Sequence, residues 1–190
     1  MCRLVALGLP RCKTLREFPL AMTWFISFYL ENPMSTTNIT IRKSDEGEIL
    51  DIAGGKYRVL INGAETGGNY AVIEMSVPPG GGPNPHAHPE MQEMFYVVEG
   101  EVEFKTEAGN TSGASVRQTV APGGFINIPL GGGVHAFKNI SDKPAKLLCT
   151  VVPSGLEVMF KEISQATGPD EAKEILKKYR NVAYPADYLG

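Results

Sequence analysis

Histidine is scarce in this chain of 190 residues, which contains only three. All three lie in two short stretches: His86 and His88 within residues 80–100, and His135 within residues 129–139. Neutral imidazole is the commonest metal-binding side chain in proteins. A sequence that uses histidine only in these stretches favours a metal site to which both contribute.

Cysteine is equally rare, with three residues in the chain. Cys2 and Cys12 lie close to the N-terminus, and only Cys149 lies in the body of the sequence, within the apolar run 147–152. This distribution excludes a disulfide framework, so a reducing compartment, the cytoplasm, is expected.

The sequence also lacks a basic stripe and a run of apolar residues long enough for a membrane. Its 18 Lys and Arg residues are scattered among 21 Asp and Glu residues, for a net charge of -3, so no nucleic-acid partner is expected. The apolar run 18–30 is shorter than the ~20 residues that cross a membrane. No membrane partner is therefore expected either.

Residues 1–33 differ from the rest of the chain. Four basic residues precede the apolar run 18–30, which is the order of a signal peptide, but the sequel Glu31-Asn32-Pro33 lacks a small-residue cleavage pattern. We expect residues 1–33 to be an N-terminal extension, or to precede a true start at Met34, rather than to be an export signal.

From residue 40 onward, short β-type runs alternate with Gly, Pro, Asn and Asp, which predicts an all-β sandwich or barrel over residues 34–155. Between residues 71 and 77 strict alternation gives one apolar face, which should point into the barrel. Residues 106–115 are predicted to be a solvated loop. The predicted strands are Tyr57–Ile61, Tyr70–Val77, the histidine stretch, Glu93–Val98, Val102–Lys105, Val116–Val120, Phe125–Ile128, Val134–Asn139 and Leu147–Val152.

Residues 156–190 have a helical pattern instead. Leu156, Phe160 and Ile163 recur at helical spacing, and a second helix is predicted over residues 171–180. We expect this segment to pack on the outside of the barrel or to cover one of its mouths, with Phe160 as a candidate lid residue.

The spacing of His86 and His88 suits a shared metal ion. Two residues apart on an extended strand, their imidazoles lie on one face, about 7 Å apart along the chain. Glu93 follows a Pro-Glu turn signal and begins a β-type run, so a hairpin can return its carboxylate to the two rings. Glu90 is a competing ligand, because strict alternation places it on the histidine face, although a turn at Pro89 would reset that alternation.

Residues 80–100 resemble the first motif of the cupin family, G-x5-H-x-H-x4-E-x6-G. The matching positions are Gly80, His86, His88, Glu93 and Gly100.

Residues 123–139 resemble the second cupin motif, G-x5-P-x-G-x2-H-x3-N, with one departure. Three residues rather than two separate Gly131 from His135, so a slightly wider turn is expected there. The matching positions are Gly123, Pro129, Gly131, His135 and Asn139.

This resemblance implies a single-domain cupin, whose fold is a jelly-roll β-barrel, also called a double-stranded β-helix. It implies that His86, His88, Glu93 and His135 bind one divalent transition metal inside the barrel. It also implies a homodimer, since cupin barrels commonly pair through an edge sheet.

Three imidazoles and one carboxylate leave about two positions open on a six-coordinate metal, for water, dioxygen or a bidentate substrate. Because the set contains no thiolate, it does not discriminate among Fe, Mn, Ni, Co and Cu. With no further histidine in the chain, Glu93 is the candidate general base as well as a ligand.

Apolar residues flank the ligands in sequence and predict an apolar substrate pocket. Phe95 and Val97 alternate with Glu93, and Phe137 alternates with His135, while Phe125 lies within the second motif. Together they favour a planar aromatic substrate, and ordinary core packing is the alternative for each one alone.

A narrower resemblance covers most of residues 40–185. Residues 62–104, with Glu65-Thr66-Gly67-Gly68 and Pro78-Pro79-Gly80, and the turn Pro153–Glu157 resemble the single-domain quercetin 2,3-dioxygenase-like group. That group cleaves a flavonol ring with dioxygen at a metal held by three histidines and one glutamate. The resemblance implies a dioxygenase of a small aromatic or enolic substrate. A non-oxidative metal cupin (an isomerase or lyase) and a small-molecule-binding cupin without turnover are the alternatives.

Overall fold

A computed structural model of the protein describes residues 39–107 and 115–190, and residues 42–190 belong to one compact unit. The expectations for residues 1–33 lie outside the described residues, as does most of the predicted loop 106–115. Of that loop, Thr106, Glu107 and Ser115 belong to strands. None of the helices in the described part of the chain is long and apolar enough to cross a membrane.

The described residues form eleven strands and two helices. The strands are β1 (Glu48–Ile52), β2 (Gly55–Ile61), β3 (Ala71–Val77), β4 (His86–Ala87), β5 (Gln92–Glu99), β6 (Val102–Glu107), β7 (Ser115–Val120), β8 (Phe125–Ile128), β9 (His135–Asn139), β10 (Ala145–Val152) and β11 (Val182–Ala183). The helices are α1 (Leu156–Gln165) and α2 (Pro169–Lys178).

These strands build two antiparallel sheets. One sheet has the order β1-β2-β3-β10-β5-β8 and the other the order β11-β4-β9-β6-β7. Neighbours such as β3 and β10 lie far apart in sequence, which is the connectivity of a closed or nearly closed β structure rather than a meander. The predicted all-β architecture with C-terminal helices is confirmed.

The hydrophobic core lies between the sheets. Along β3 the apolar residues at positions 71, 73, 75 and 77 are all buried and the residues between them are not, as the alternation predicts. On β10 the buried residues alternate in the same way. Each large aliphatic side chain buried there contributes roughly 1.5–3 kcal/mol relative to an exposed one. The opposite sheet contributes Val102, Phe104 and Phe137 to the same core.

Two strands are absent from the predicted set. In β1 only Leu50 is buried, so its sequence carries little apolar alternation. The two residues of β11 pair with β4, and such a short strand is defined by its partner rather than by its own sequence. The strand β11 also means that the predicted helical segment 156–190 adds a strand to the sheet that carries the histidines.

The two predicted helices are present, with shifted bounds. The second begins at Pro169 rather than Glu171, because proline is well suited to the first helical position, where its missing N–H is not needed. Leu156 and Met159 of α1 are buried in the core, and Leu176 of α2 packs against it. Apolar residues of both helices therefore pack against the core.

Gly100 makes the tight turn between β5 and β6. Its φ is +76°, in the left-handed region that glycine adopts readily. A Cβ at this position would lie 2.9 Å from the Cα and Cβ atoms of Ala145. Both the backbone conformation and the close approach of Ala145 therefore favour glycine at this position.

Candidate metal centre

The three histidines meet because of the register between β4 and β9. His86 and His135 are directly opposite partners in these antiparallel strands, although they are distant in sequence. Their ring centroids lie 4.3 Å apart, and the rings of His86 and His88 lie 4.9 Å apart. The pairing of β4 with β9 thus brings the histidines of the two sequence motifs together.

Glu93 reaches the histidines from the other sheet. It lies on β5, between Val151 of β10 and Ile128 of β8. Its Oε2 atom lies 3.3 Å from His135 Nε2 and 3.9 Å from His88 Nε2. One ligand atom from each of His86, His88, Glu93 and His135 lies within 4.8 Å of the others. The cluster that could hold a metal ion is therefore built across the interior of the sandwich.

Backbone carbonyl groups orient two of the imidazoles. His86 Nδ1 donates to the carbonyl oxygen of Asn84 at 2.9 Å, and His135 Nδ1 donates to that of Gly133 at 3.1 Å. A proton on Nδ1 leaves the lone pair on Nε2, which is the arrangement of a metal-binding histidine held by an outer hydrogen bond.

Unpartnered buried atoms support the fit of a cation. Glu93 Oε2 and His135 Nε2 are both buried without a hydrogen bond, and His88 Nδ1 is a third such atom. Two lone pairs that face each other at 3.3 Å in a buried site repel unless a positive charge lies beside them. Three imidazole nitrogens and a carboxylate are a suitable donor set for a divalent transition metal.

The protonation states also suit metal binding. Burial, followed by the neighbouring His135 and His88, lowers the pKa of His86 to about 3, and burial lowers the pKa of His88 as well. Neutral imidazoles beside an ionised carboxylate are the forms that bind metal.

Cys149 holds the other oxygen of the Glu93 carboxylate. Its thiol donates to Glu93 Oε1 at 3.5 Å, and it lies on β10 directly beside β5. Burial, together with the nearby Glu93 charge, raises the pKa of Cys149 well above its ordinary value, so the thiol stays protonated. Oε1 is therefore engaged and Oε2 is left to face the histidines.

Glu90, the competing ligand, lies outside the cluster. A turn in which the Met91 N–H donates to the His88 carbonyl follows the histidines, so the alternation is reset as the Pro89 signal suggested. The Glu90 carboxylate is exposed and accepts a hydrogen bond from Arg180.

A cavity of about 320 Å³ opens beside the cluster and is bordered by His86, His88 and Glu93. Of the residues expected to form a substrate pocket, Phe95 and Phe137 line it. Residues of both helices also line the cavity. Of these, the sequence had indicated only Phe160, as a candidate lid residue. The helical lining residues are Leu156, Met159, Phe160, Ile163 and Leu176.

The other two expected pocket residues lie elsewhere. Val97 is buried in the core two residues beyond Phe95. Phe125 pairs with Tyr96 on the outer side of the edge strand β8, is 62% exposed, and borders a second cavity of about 300 Å³ that reaches His135. Its position follows from the pleat, which directs alternate residues of β8 outward.

Four polar residues that line the cavity were not predicted from the sequence: Tyr57, Asn84, Asn181 and Tyr184. Of these, Tyr57 lies on β2 and Asn181 just after α2, both far from the histidine motifs in sequence. The Asn181 amide donates to Met159 Sδ at 3.9 Å, and its Oδ1 is buried without a partner. Neither Tyr57 nor Asn181 belongs to a motif, and only the packing of distant elements brings them to the site.

The comparison with family models identifies residues 73–151 as a match to the cupin domain. No curated protein matches the chain. The fold is accordingly a cupin-type sandwich of two antiparallel sheets with two C-terminal helices.

Solved structures with the same fold are distant in sequence. KdgF from Halomonas sp. is 15% identical with a TM-score of 0.53, over 64% of this chain and 99% of that one. An RmlC-like cupin from Shewanella frigidimarina is 20% identical with a TM-score of 0.51, over 64% and 96%. Peruvianin-I, described as a cysteine peptidase from Thevetia peruviana latex, is 16% identical with a TM-score of 0.50, over 65% and 76%. At these identities the likeness shows the fold alone.

Proposed function

We propose that this protein is a metal-dependent dioxygenase of a small, planar, aromatic or enolic substrate, similar in activity to the quercetin 2,3-dioxygenase-like group. The observation that carries the proposal is the opening of the three-histidine, one-glutamate cluster into a mostly apolar cavity. A divalent metal bound there would supply Lewis acidity and sites for a chelating substrate and dioxygen.

The walls of the cavity favour an uncharged ring over an anionic substrate. Phe95, Phe137 and Phe160 border it, and none of the lining residues in the described part of the chain is Lys or Arg. The phosphate of a sugar phosphate, held away from the metal, would be buried there without a cationic partner, which is costly. This argues against an isomerase or lyase of sugar phosphates, whereas a keto acid could place its carboxylate on the metal and is distinguished by the oxygen requirement.

Glu93 is the proposed proton acceptor. It is the one carboxylate among the described residues that line the cavity. A substrate hydroxyl bound beside it can give up its proton to the carboxylate, which leaves an electron-rich enolate or phenolate for reaction with dioxygen. Both oxygen atoms then enter the product, so no external reductant is needed.

Oxygen consumption tests the proposal directly. We expect the full chain, loaded with metal, to consume oxygen when 3-hydroxyflavone is added, and mass spectrometry after reaction under ¹⁸O₂ to find both labelled atoms in product. Product formed without oxygen would instead indicate a non-oxidative cupin. Bound flavonol with neither oxygen uptake nor product would indicate a binding module.

A further inference from the structure

Tyr57 is fixed beside the metal centre by the core around it. It lies on β2, opposite Met75 of β3, and is only 6% exposed. Its ring packs edge to face against Phe160 of α1, with centroids 5.2 Å apart and planes at 73°. Tyr57 and Glu93 line the same cavity. The ring is therefore held in place in the wall of that cavity.

The hydroxyl of Tyr57 makes no hydrogen bond to any described residue, and it is not one of the fully buried atoms that lack a partner, so it is accessible from the cavity that the residue lines. Burial, and then the neighbouring Cys149 and Glu93, raise the pKa of Tyr57 above its ordinary value, and no hydrogen bond contributes to that shift. The hydroxyl thus keeps its proton and is a free donor in an apolar cavity.

We propose that Tyr57 is a substrate-binding residue, whose hydroxyl donates a hydrogen bond to an oxygen acceptor on an uncharged planar substrate chelated at the metal centre. The inference rests on the proposed function and adds a requirement to it. The substrate needs a third oxygen, such as a ring ether or carbonyl oxygen, besides the two that bind the metal.

Such a contact would discriminate between substrates of similar shape. Once a substrate fills the cavity and excludes water, a donor left without a partner costs free energy, so a site built around a hydrogen bond rejects analogues that lack the matching group more strongly than an apolar wall rejects a change of size. The Phe160 ring beside Tyr57 supplies the apolar surface for the same ring system.

The test compares two chelating probes and two tyrosine variants. 3-Hydroxyflavone retains a free ring oxygen when its hydroxyl and carbonyl oxygens bind a metal, whereas 2,3-dihydroxynaphthalene has no oxygen besides its chelating pair. Tyr57→Phe removes only the hydroxyl and keeps the packing against Phe160. Tyr96→Phe is the matched control, since Tyr96 lies on the outer side of β5 and is 45% exposed. Affinity is measured by fluorescence titration of the metal-loaded full chain under nitrogen, with metal content determined for each variant.

We expect Tyr57→Phe to weaken 3-hydroxyflavone binding about fivefold, the effect of one net hydrogen bond, and to leave dihydroxynaphthalene binding and metal content unchanged. Tyr96→Phe should bind both probes like wild type. Unchanged 3-hydroxyflavone affinity in Tyr57→Phe would overturn the contact, and so would an equal loss for both probes, which would indicate a general effect on the site.

The wild-type protein separates this contact from the proposed function. A wild-type protein that binds 3-hydroxyflavone but takes up no oxygen would overturn the dioxygenase proposal, and the titrations would still decide whether the Tyr57 contact exists. One that binds neither probe would overturn both.

Discussion

The two oxygens of the Glu93 carboxylate have different surroundings, and this difference is the main residue-scale feature of the centre. Oε1 accepts a hydrogen bond from Cys149, whereas Oε2 is buried beside His135 and His88 without a hydrogen bond. The carboxylate is therefore already oriented before a metal binds, so metal binding does not have to pay for fixing this side chain. We infer that replacing the charged oxygen affects metal binding and proton transfer together.

Glu93→Gln should therefore impair two properties at once. An amide keeps the shape of the side chain but lacks the negative charge, so we expect metal affinity to fall about 10- to 100-fold and turnover with 3-hydroxyflavone to fall at least about 100-fold. Metal titration and oxygen uptake measure the two effects.

Glu90→Gln is the matched control for this variant. Glu90 is a neighbouring glutamate, but it is exposed and bound to Arg180, so this change should leave both quantities near the wild-type values. Near-normal activity in Glu93→Gln would remove Glu93 from both proposed roles.

The sequence could predict the metal-binding residues of the site but not its other polar residues. His86, His88, Glu93 and His135 could be found because the motif spacing encodes them and because histidine occurs nowhere else in the chain. Tyr57 could not be found in this way. It reaches the cavity only through the pairing of β2 with β3 and the docking of α1, and neither contact has a local sequence signal.

Among the connections between elements, the turn that joins β5, the strand of Glu93, to β6 depends on one glycine. Gly100 combines a positive φ with a close approach to Ala145. Gly68 also has a positive φ, of +85°, but no heavy atom lies within 4 Å of the position that its Cβ would take. A side chain at position 68 would therefore meet backbone strain alone, whereas one at position 100 would meet backbone strain and steric overlap.

Gly100→Ala should destabilise the fold more than Gly68→Ala. The left-handed conformation alone costs about 1–2 kcal/mol for alanine, and overpacking against Ala145 should add about 1–3 kcal/mol at position 100. Chemical denaturation of the two variants gives the free energies of unfolding. Equal losses would contradict the close approach at Gly100.

Strand periodicity predicted most elements but not all of their bounds or partners. The buried alternation of β3 follows its sequence closely, because β3 lies inside its sheet, between β2 and β10, and one of its faces packs in the core. The prediction began β10 at Leu147, whereas the strand begins at Ala145, where pairing with Val77 extends it. The strand β11 exists only as a partner of β4. Bounds of this kind depend on contacts between distant segments, which a single sequence does not specify.

At the scale of the whole molecule, the candidate centre depends on both sheets and on the C-terminal segment. The histidines come from the sheet that contains β4 and β9, Glu93 comes from the sheet that contains β5, and α1 and α2 wall the adjoining cavity. Metal binding would therefore join the two sheets in the native state and stabilise the fold as a ligand does.

Metal content tests the central claim most directly. We would purify the full chain and determine its metals by mass spectrometry, beside a His86→Ala, His88→Ala double variant. The structure leads us to expect about one equivalent of Fe, Mn, Co, Ni or Cu per chain in the wild type and its loss in the variant. A wild-type protein that contains no metal and takes none up on reconstitution, although folded, would contradict the metal centre and with it the proposed dioxygenase.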